Sequence, residues 1–238
     1  MNLSRIISKL KASLDLFTGS SRFSYSQFAE DILIDTLFTQ TLNIPQPSYL
    51  DIGANKPKAG SNTYFFYLKK CYGVCVEPDI TLYHKFSTAR PKDKVINAGV
   101  GIGDMKEAVF YYFPEPYTGW NTFSKEDADI KKTQTGVQYK NDKVIPFINI
   151  NTLIKENFKT RPDFISIDVE GLDFDILKSL DFESYAPSVF CIETMEFNNM
   201  KLGKKNTEII SFLENKGYVV YADTYINSIF VKKELLNI

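Results

Sequence analysis

Ser48-Tyr49-Leu50-Asp51-Ile52-Gly53-Ala54-Asn55 is a short apolar run that ends in an acid, a glycine and two small residues. The preceding Pro45-Gln46-Pro47 stops any helix and feeds the chain in extended. Such a run reads as a buried strand, and its glycine lets the backbone pass close to a ligand where a Cβ would collide. In open α/β sheets, ligands bind just beyond the carboxyl ends of strands. Unlike G-x-G-x-x-G, this loop has a single glycine and presents a carboxylate, which suits a cationic or hydroxyl-bearing ligand better than a pyrophosphate.

Outward from that strand the chain alternates. Strand 49–53 leads to helix 62–70, strand 73–77, helix 80–89 and strand 94–98. A second series runs through strand 163–168, helix 172–180, strand 188–193 and helix 207–216, and closes on β-rich runs at 218–221 and 228–231 that pair as a hairpin. This order implies right-handed crossovers and a parallel sheet. Between the series, residues 107–150 carry aromatics at Phe110, Tyr111, Tyr112, Phe113, Tyr117 and Trp120 and then a polar stretch, the pattern of an inserted lid or a surface insertion. Upstream, Ile6, Ile7, Leu10, Leu14 and Phe17 share one helical face, and a second helix opens near residues 24–31 with Ser24 or Ser26 as cap. Residues 1–45 are therefore expected to form a helical segment packed on a single domain at 46–238.

The totals agree with one α/β domain. The chain has 238 residues, 44% apolar and 14% aromatic, which is ample for a core and excludes disorder. A net charge of -1 lacks the electrostatic footprint of a protein that grips phosphate backbones, so nucleic acid is not the expected partner. Cys71, Cys75 and Cys191 make no disulfide framework and fit a reducing, cytoplasmic compartment. With the single His84 they complete no zinc set. No run reaches the ~20 apolar residues of a transmembrane span. The first helix, with Arg5, Lys9 and Lys11, is expected to pack on its own domain rather than on an anionic membrane, and its charges break up any secretory signal.

Strand ends supply the chemistry. Asp51, Glu77, Asn97, Asp168 and Glu193 each stand at or near the carboxyl end of a strand, and a parallel sheet brings them to one rim. Glu77, fixed before Pro78, is placed to accept from ribose hydroxyls. Asp168 and Glu170 put two carboxylates beside each other; either serves as a base toward a hydroxyl, or the pair holds a divalent cation that orients two hydroxyls. Glu193 and Glu196 are expected to face the acceptor, with Phe197 and Trp120 as stacking surfaces. The glycines of Asn97-Ala98-Gly99-Val100-Gly101-Ile102-Gly103 alternate, which reads as a turn-rich strand exit and not as a dinucleotide loop. His84 is read as a packing or surface residue.

Tyr49-Leu50-Asp51-Ile52-Gly53-Ala54-Asn55, Ser61-Asn62-Thr63, Val76-Glu77-Pro78-Asp79, Asn97-Ala98-Gly99-Val100-Gly101 and Ile167-Asp168-Val169-Glu170-Gly171, in this order, resemble the FkbM family of S-adenosylmethionine-dependent methyltransferases. Ser26-Gln27-Phe28-Ala29-Glu30-Asp31 is similar to that family's opening motif. The resemblance implies a class I methyltransferase (Rossmann-like) fold: a mostly parallel seven-stranded sheet, an antiparallel C-terminal hairpin, and here a lid inserted between the third and fourth strands. It implies Asp51, Gly53 and Asn55 around the methionine end of S-adenosylmethionine, Glu77 on the ribose, and Asn97 and Ala98 near adenine. Ala54, Asn62, Pro78 and Asp168 complete the expected cofactor set, and Asp168, Glu170 and Glu193 the catalytic one. The expected reaction is O-methylation of a saccharide or glycosylated metabolite, as in polysaccharide biosynthesis. The alternatives are an NAD-dependent nucleotide-sugar oxidoreductase or epimerase, or a silent binding module on the same scaffold.

Overall fold

The computed structural model describes residues 22–103, 105–198 and 201–236. The amphipathic helix expected within residues 1–17 lies outside them. In chain order the strands are β1 (Tyr49–Ile52), β2 (Gly73–Val76), β3 (Lys94–Ile96), β4 (Gly99–Gly101), β5 (Glu107–Tyr112), β6 (Lys140–Asn149), β7 (Phe164–Ile167), β8 (Val189–Glu193), β9 (Met195–Asn198), β10 (Lys201–Lys205), β11 (Tyr218–Asp223) and β12 (Asn227–Lys232). The helices are α1 (Glu30–Thr36), α2 (Tyr64–Leu68), α3 (Ile80–Ala89), α4 (Lys125–Thr135), α5 (Ile150–Asn157), α6 (Asp173–Ser179), α7 (Phe182–Tyr185) and α8 (Thr207–Asn215).

Seven strands form the main sheet in the order β11-β12-β8-β7-β1-β2-β3. β1 pairs in parallel with β2 on one side and β7 on the other, and β12 runs antiparallel between β8 and β11. This is the class I methyltransferase sheet with its reversed last hairpin. A strand with parallel neighbours on both sides and helices on both faces must be apolar nearly throughout. Alternation then divides its side chains. Leu50, Ile52, Val74, Val76, Ile165 and Ile167 face the core shared with Leu153, Ile176 and Leu213 of α5, α6 and α8. Tyr49, Cys75, Phe164 and Cys191 face the other core, with Ile34, Phe66 and Phe86 of α1, α2 and α3. Burying each such side chain contributes about 1.5–3 kcal/mol, so the two layers hold the strands in register.

Three local expectations are corrected. The second helix does not open at Ser24 or Ser26. It begins at Glu30, after Ala29 in the left-handed region at φ 68°. The buried Asp31 carboxylate draws in Ser24 Oγ (2.6 Å), Ser26 Oγ (3.0 Å) and the Tyr25 N–H (2.7 Å), so the preceding residues wrap around it. The third strand ends at Ile96, because Asn97 Nδ2 donates to the Glu77 and Pro78 carbonyls, both at 2.9 Å. The chain then leaves the sheet, and Gly99 and Gly101 lie in β4, which joins a separate sheet ordered β4-β6-β5. A Cβ on Gly99 would come within 2.2 Å of the Phe147 ring and one on Gly101 within 2.6 Å. The alternating glycines thus seat an aromatic ring from β6.

The insertion between β3 and β7 is structured, with β5 and β6 antiparallel and α4 between them. Ser124 caps α4 and Gly136 closes it at φ 75°. Neither α5, capped by Asn149, nor the β9–β10 hairpin was expected.

Candidate active site

The carboxyl ends of β1, β2, β7 and β8 open onto a cavity of about 740 Å³. Gly53 lines it at φ 79°, and a Cβ there would lie 1.9 Å from the Asp168 carbonyl oxygen. The atom for which this glycine makes room therefore belongs to β7's exit and not to a ligand. The N–H groups of Gly53 and Ala54 both donate to the Val76 carbonyl at 3.1 Å, which wedges the loop between β2 and β7.

On the β2 side, Glu77 is 3% exposed. Its Oε2 accepts from the Asn55 N–H at 2.7 Å and its Oε1 from the Asp79 N–H at 2.8 Å. Burial pushes the carboxyl up to about 8, while the two backbone bonds pull the other way. Ala54, Asn55, Asn62, Pro78 and Ala98 also line the cavity. Asn97 does not line it; its amide fixes the loop behind Glu77. Asp51 belongs to the cavity wall and to a buried network at once. Thr63 Oγ1 donates to its carboxylate, and the Arg90 guanidinium, 0% exposed, donates to Thr63 Oγ1 and Tyr49 Oη at 3.0 Å and pairs with Asp93. Burial raises Asp51, opposed by Arg90 and Thr63.

On the β7 and β8 side, the chain turns sharply after Asp168. Glu170 and Gly171 both take left-handed conformations, at φ 55° and 109°. Asp173 at the start of α6 holds the turn by accepting from the Val169 and Gly171 N–H groups at 3.0 and 3.1 Å. Thr122 of the insertion donates to the Glu170 carbonyl at 2.9 Å. Carboxylate oxygens of Asp168, Glu170 and Glu193 then lie within 4.8 Å of one another. Lys131 of α4, 7% exposed, joins them: its Nζ is 2.7 Å from Glu170 and 2.7 Å from Asp127.

Burial and then mutual repulsion hold Asp168 and Glu193 well above the usual carboxylate range, with Lys131 opposing; Glu170 is raised by burial against the pull of Lys131. Asp168 is nonetheless reached from the cavity. Among the described residues, no donor lies within hydrogen-bond distance of the Asp168 or Glu193 carboxylates. Such acids, with high proton affinity and open lone pairs, can accept a proton from a bound hydroxyl.

The insertion covers this rim. Thr118 Oγ1 donates to Asn55 Oδ1 at 3.2 Å, and Trp120, stacked on Tyr117 with centroids 4.4 Å apart, lines the cavity. The side chains of Glu196 and Phe197 lie outside the described residues. His84 sits on α3 against Tyr83, away from the cavity. Reading the sequence missed Lys131, Asp173 and the Arg90 network. Asp173 had a visible signal, an acid directly before an apolar helical run. Lys131, one lysine in a polar helix, had none.

The family model described as "Methyltransferase FkbM domain" matches residues 51–220. No curated protein matches the chain. Among solved structures, a TehB-like SAM-dependent methyltransferase from Corynebacterium glutamicum is 11% identical, with a TM-score of 0.42 and 98% of this chain and 100% of that chain covered. The 1,6-didemethyltoxoflavin-N1-methyltransferase of Burkholderia thailandensis is 10% identical, with a TM-score of 0.42 over 96% and 84% of the two chains. The fibrillarin pre-rRNA processing protein of Methanococcus jannaschii is 13% identical, with a TM-score of 0.39 over 79% and 67%. At these scores the likenesses add nothing to the strand order.

Proposed function

Because the chain belongs to the FkbM methyltransferase family, we propose that it transfers a methyl group from S-adenosylmethionine to a hydroxyl of a saccharide or glycosylated metabolite. When bound, the cofactor supplies an electrophilic methyl group on a sulfonium. The residues on the β2 side fit its nucleoside: Glu77 is a buried acid with lone pairs left for two ribose hydroxyls, between the small walls of Pro78 and Ala98. Asp51, Gly53 and Asn55 form the methionine side, where an acidic rim suits an ammonium and a sulfonium.

The observation that carries the reading is Asp168, reached from the cavity, free of hydrogen-bond donors among the described residues and raised in proton affinity. It takes the proton of the acceptor hydroxyl as the new C–O bond forms and the S–C bond breaks, leaving an ether, a neutral thioether and a protonated carboxyl. Glu170 and Glu193 tune it. Trp120 offers a ring face to a sugar. Glu170 already has a cation in Lys131, so the reading uses no divalent metal.

The proposal takes residues 46–238 as the catalytic domain and does not include nucleic acid as acceptor, given the net charge of -1. Among the described residues no helix is long and apolar enough to cross a membrane, and three buried thiols favour a cytoplasmic setting.

The test is incubation with S-adenosylmethionine and a panel of neutral glycans, with S-adenosylhomocysteine and methyl ether measured together and with a chelator present. Equal amounts of both, unaffected by chelator, are expected. Calorimetry with S-adenosylmethionine, S-adenosylhomocysteine and NAD separates the alternatives; failure to bind either S-adenosyl ligand would end the proposal.

A further inference from the structure

We propose that Lys131 is a positioning residue for methyl transfer: paired with Glu170 inside the acid cluster, its charge offsets the repulsion among the carboxylates and so sets the pH above which Asp168 is ionised and can take up a hydroxyl proton. The inference rests on the base role of Asp168 proposed above.

The charged groups that meet at this point come from four directions. Asp168, Glu170 and Asp173 come from the turn between β7 and α6, Glu193 from β8, Asp51 from β1, and Asp127 and Lys131 from α4. Carboxylates this close cannot all ionise near neutral pH, and one cation decides which of them does. Contact makes the choice. Lys131 Nζ lies 2.7 Å from Glu170 Oε2, and Asp127 one helical turn earlier holds the same Nζ at 2.7 Å.

Glu170 is itself held in place, by a left-handed backbone and by Thr122 on its carbonyl. An ordinary residue at positive φ persists only where its surroundings over-determine it. Here those surroundings are Asp173, which accepts from the N–H groups on either side of Glu170, and the insertion, whose Thr122 and Lys131 hold its carbonyl and carboxylate. A salt bridge that only docked α4 would need no partner inside a carboxylate cluster.

The test is the pH dependence of kcat in four variants. In Lys131→Met the acid limb should move to higher pH by about one unit or more, since the opposing charge is lost. Lys131→Arg should restore it towards the wild-type position. In Glu170→Gln the limb should move to lower pH, because Lys131 is then free to turn to Asp168. Lys125→Ala, on the exposed face of the same helix, should leave the profile unchanged.

Opposite shifts in Lys131→Met and Glu170→Gln support the assignment. Limbs that coincide with wild type in both overturn it, as does a shift of equal sign in both. Should Lys131→Met fail to bind S-adenosylhomocysteine by calorimetry, Glu170→Gln alone decides by the direction of its shift. The Asp168→Asn variant keeps the two readings apart. Turnover retained there removes the base itself, whereas turnover lost there with unmoved limbs removes only the role of Lys131.

Discussion

Glu77 and Asp168 stand at the carboxyl ends of strands on either side of β1, and both are raised above the usual carboxylate range, Glu77 by full burial and Asp168, whose side chain is open to the cavity, by partial desolvation among neighbouring acids. Their bonds differ. Both oxygens of Glu77 accept backbone N–H groups, one from each of two loops, whereas the Asp168 carboxylate accepts from no donor among the described residues. An acid tied by rigid donors is fixed in place and fitted to holding a ligand. One with open lone pairs beside other acids has proton affinity without a partner, and is fitted to reacting.

Substitutions can break this contrast. The largest effect is expected for Asp168→Asn: kcat should fall by about 10²–10⁴-fold, the span of a lost general base, with cofactor affinity changed only a few-fold. Single-turnover rates and calorimetry on the same preparation measure the two, and normal turnover would remove Asp168 from the mechanism. For Glu77→Ala the pattern reverses. Cofactor binding should weaken by about 1.5–3 kcal/mol, the range for a charged hydrogen bond, with turnover at saturation largely kept. Unchanged affinity would refute the ribose role.

A third effect is on stability without ligand. The folded pKa of Glu77, about 8, exceeds its ordinary value of 4.5, so the folded state binds more protons than the unfolded one between these limits. Stability from this group is present below that window and lost as pH rises through it. The melting temperature of the unliganded protein should therefore fall from pH 5 towards 8, and Glu77→Gln should flatten the fall. An identical slope in the variant would mean that other acids carry it.

How far the sequence could be read depended on the range of the interaction. β1, β2 and β7 announce themselves because a strand flanked by parallel neighbours must be apolar along its whole length, and four or five residues suffice to see that. The strand-end acids are equally local, one step past each apolar run. Gly53 was visible as a close-approach glycine, yet what approaches is the Asp168 carbonyl, more than a hundred residues away. The glycines at 99 and 101 likewise answer to Phe147. Lys131 is the extreme case. Its helix is polar on nearly every face, and only the folded insertion brings its amine to Glu170. Ser24 and Ser26 misled for the converse reason: cap-like in sequence, they donate to a buried aspartate in the first turn of α1, which begins several residues later.

Glu30 accepts hydrogen bonds from the Phe28 N–H, Thr224 Oγ1 and Asn227 Nδ2. The last of these spans 197 residues and reaches β12, which lies between β8 and β11 in the sheet. On a ribosome the earliest described segment must therefore wait for β12, the last of the described strands, before its buried acid is satisfied. Gln27, three residues earlier, and Ile226, one residue before β12, both line the cavity. The cavity wall is therefore complete only once residues from both ends of the described chain have been brought together.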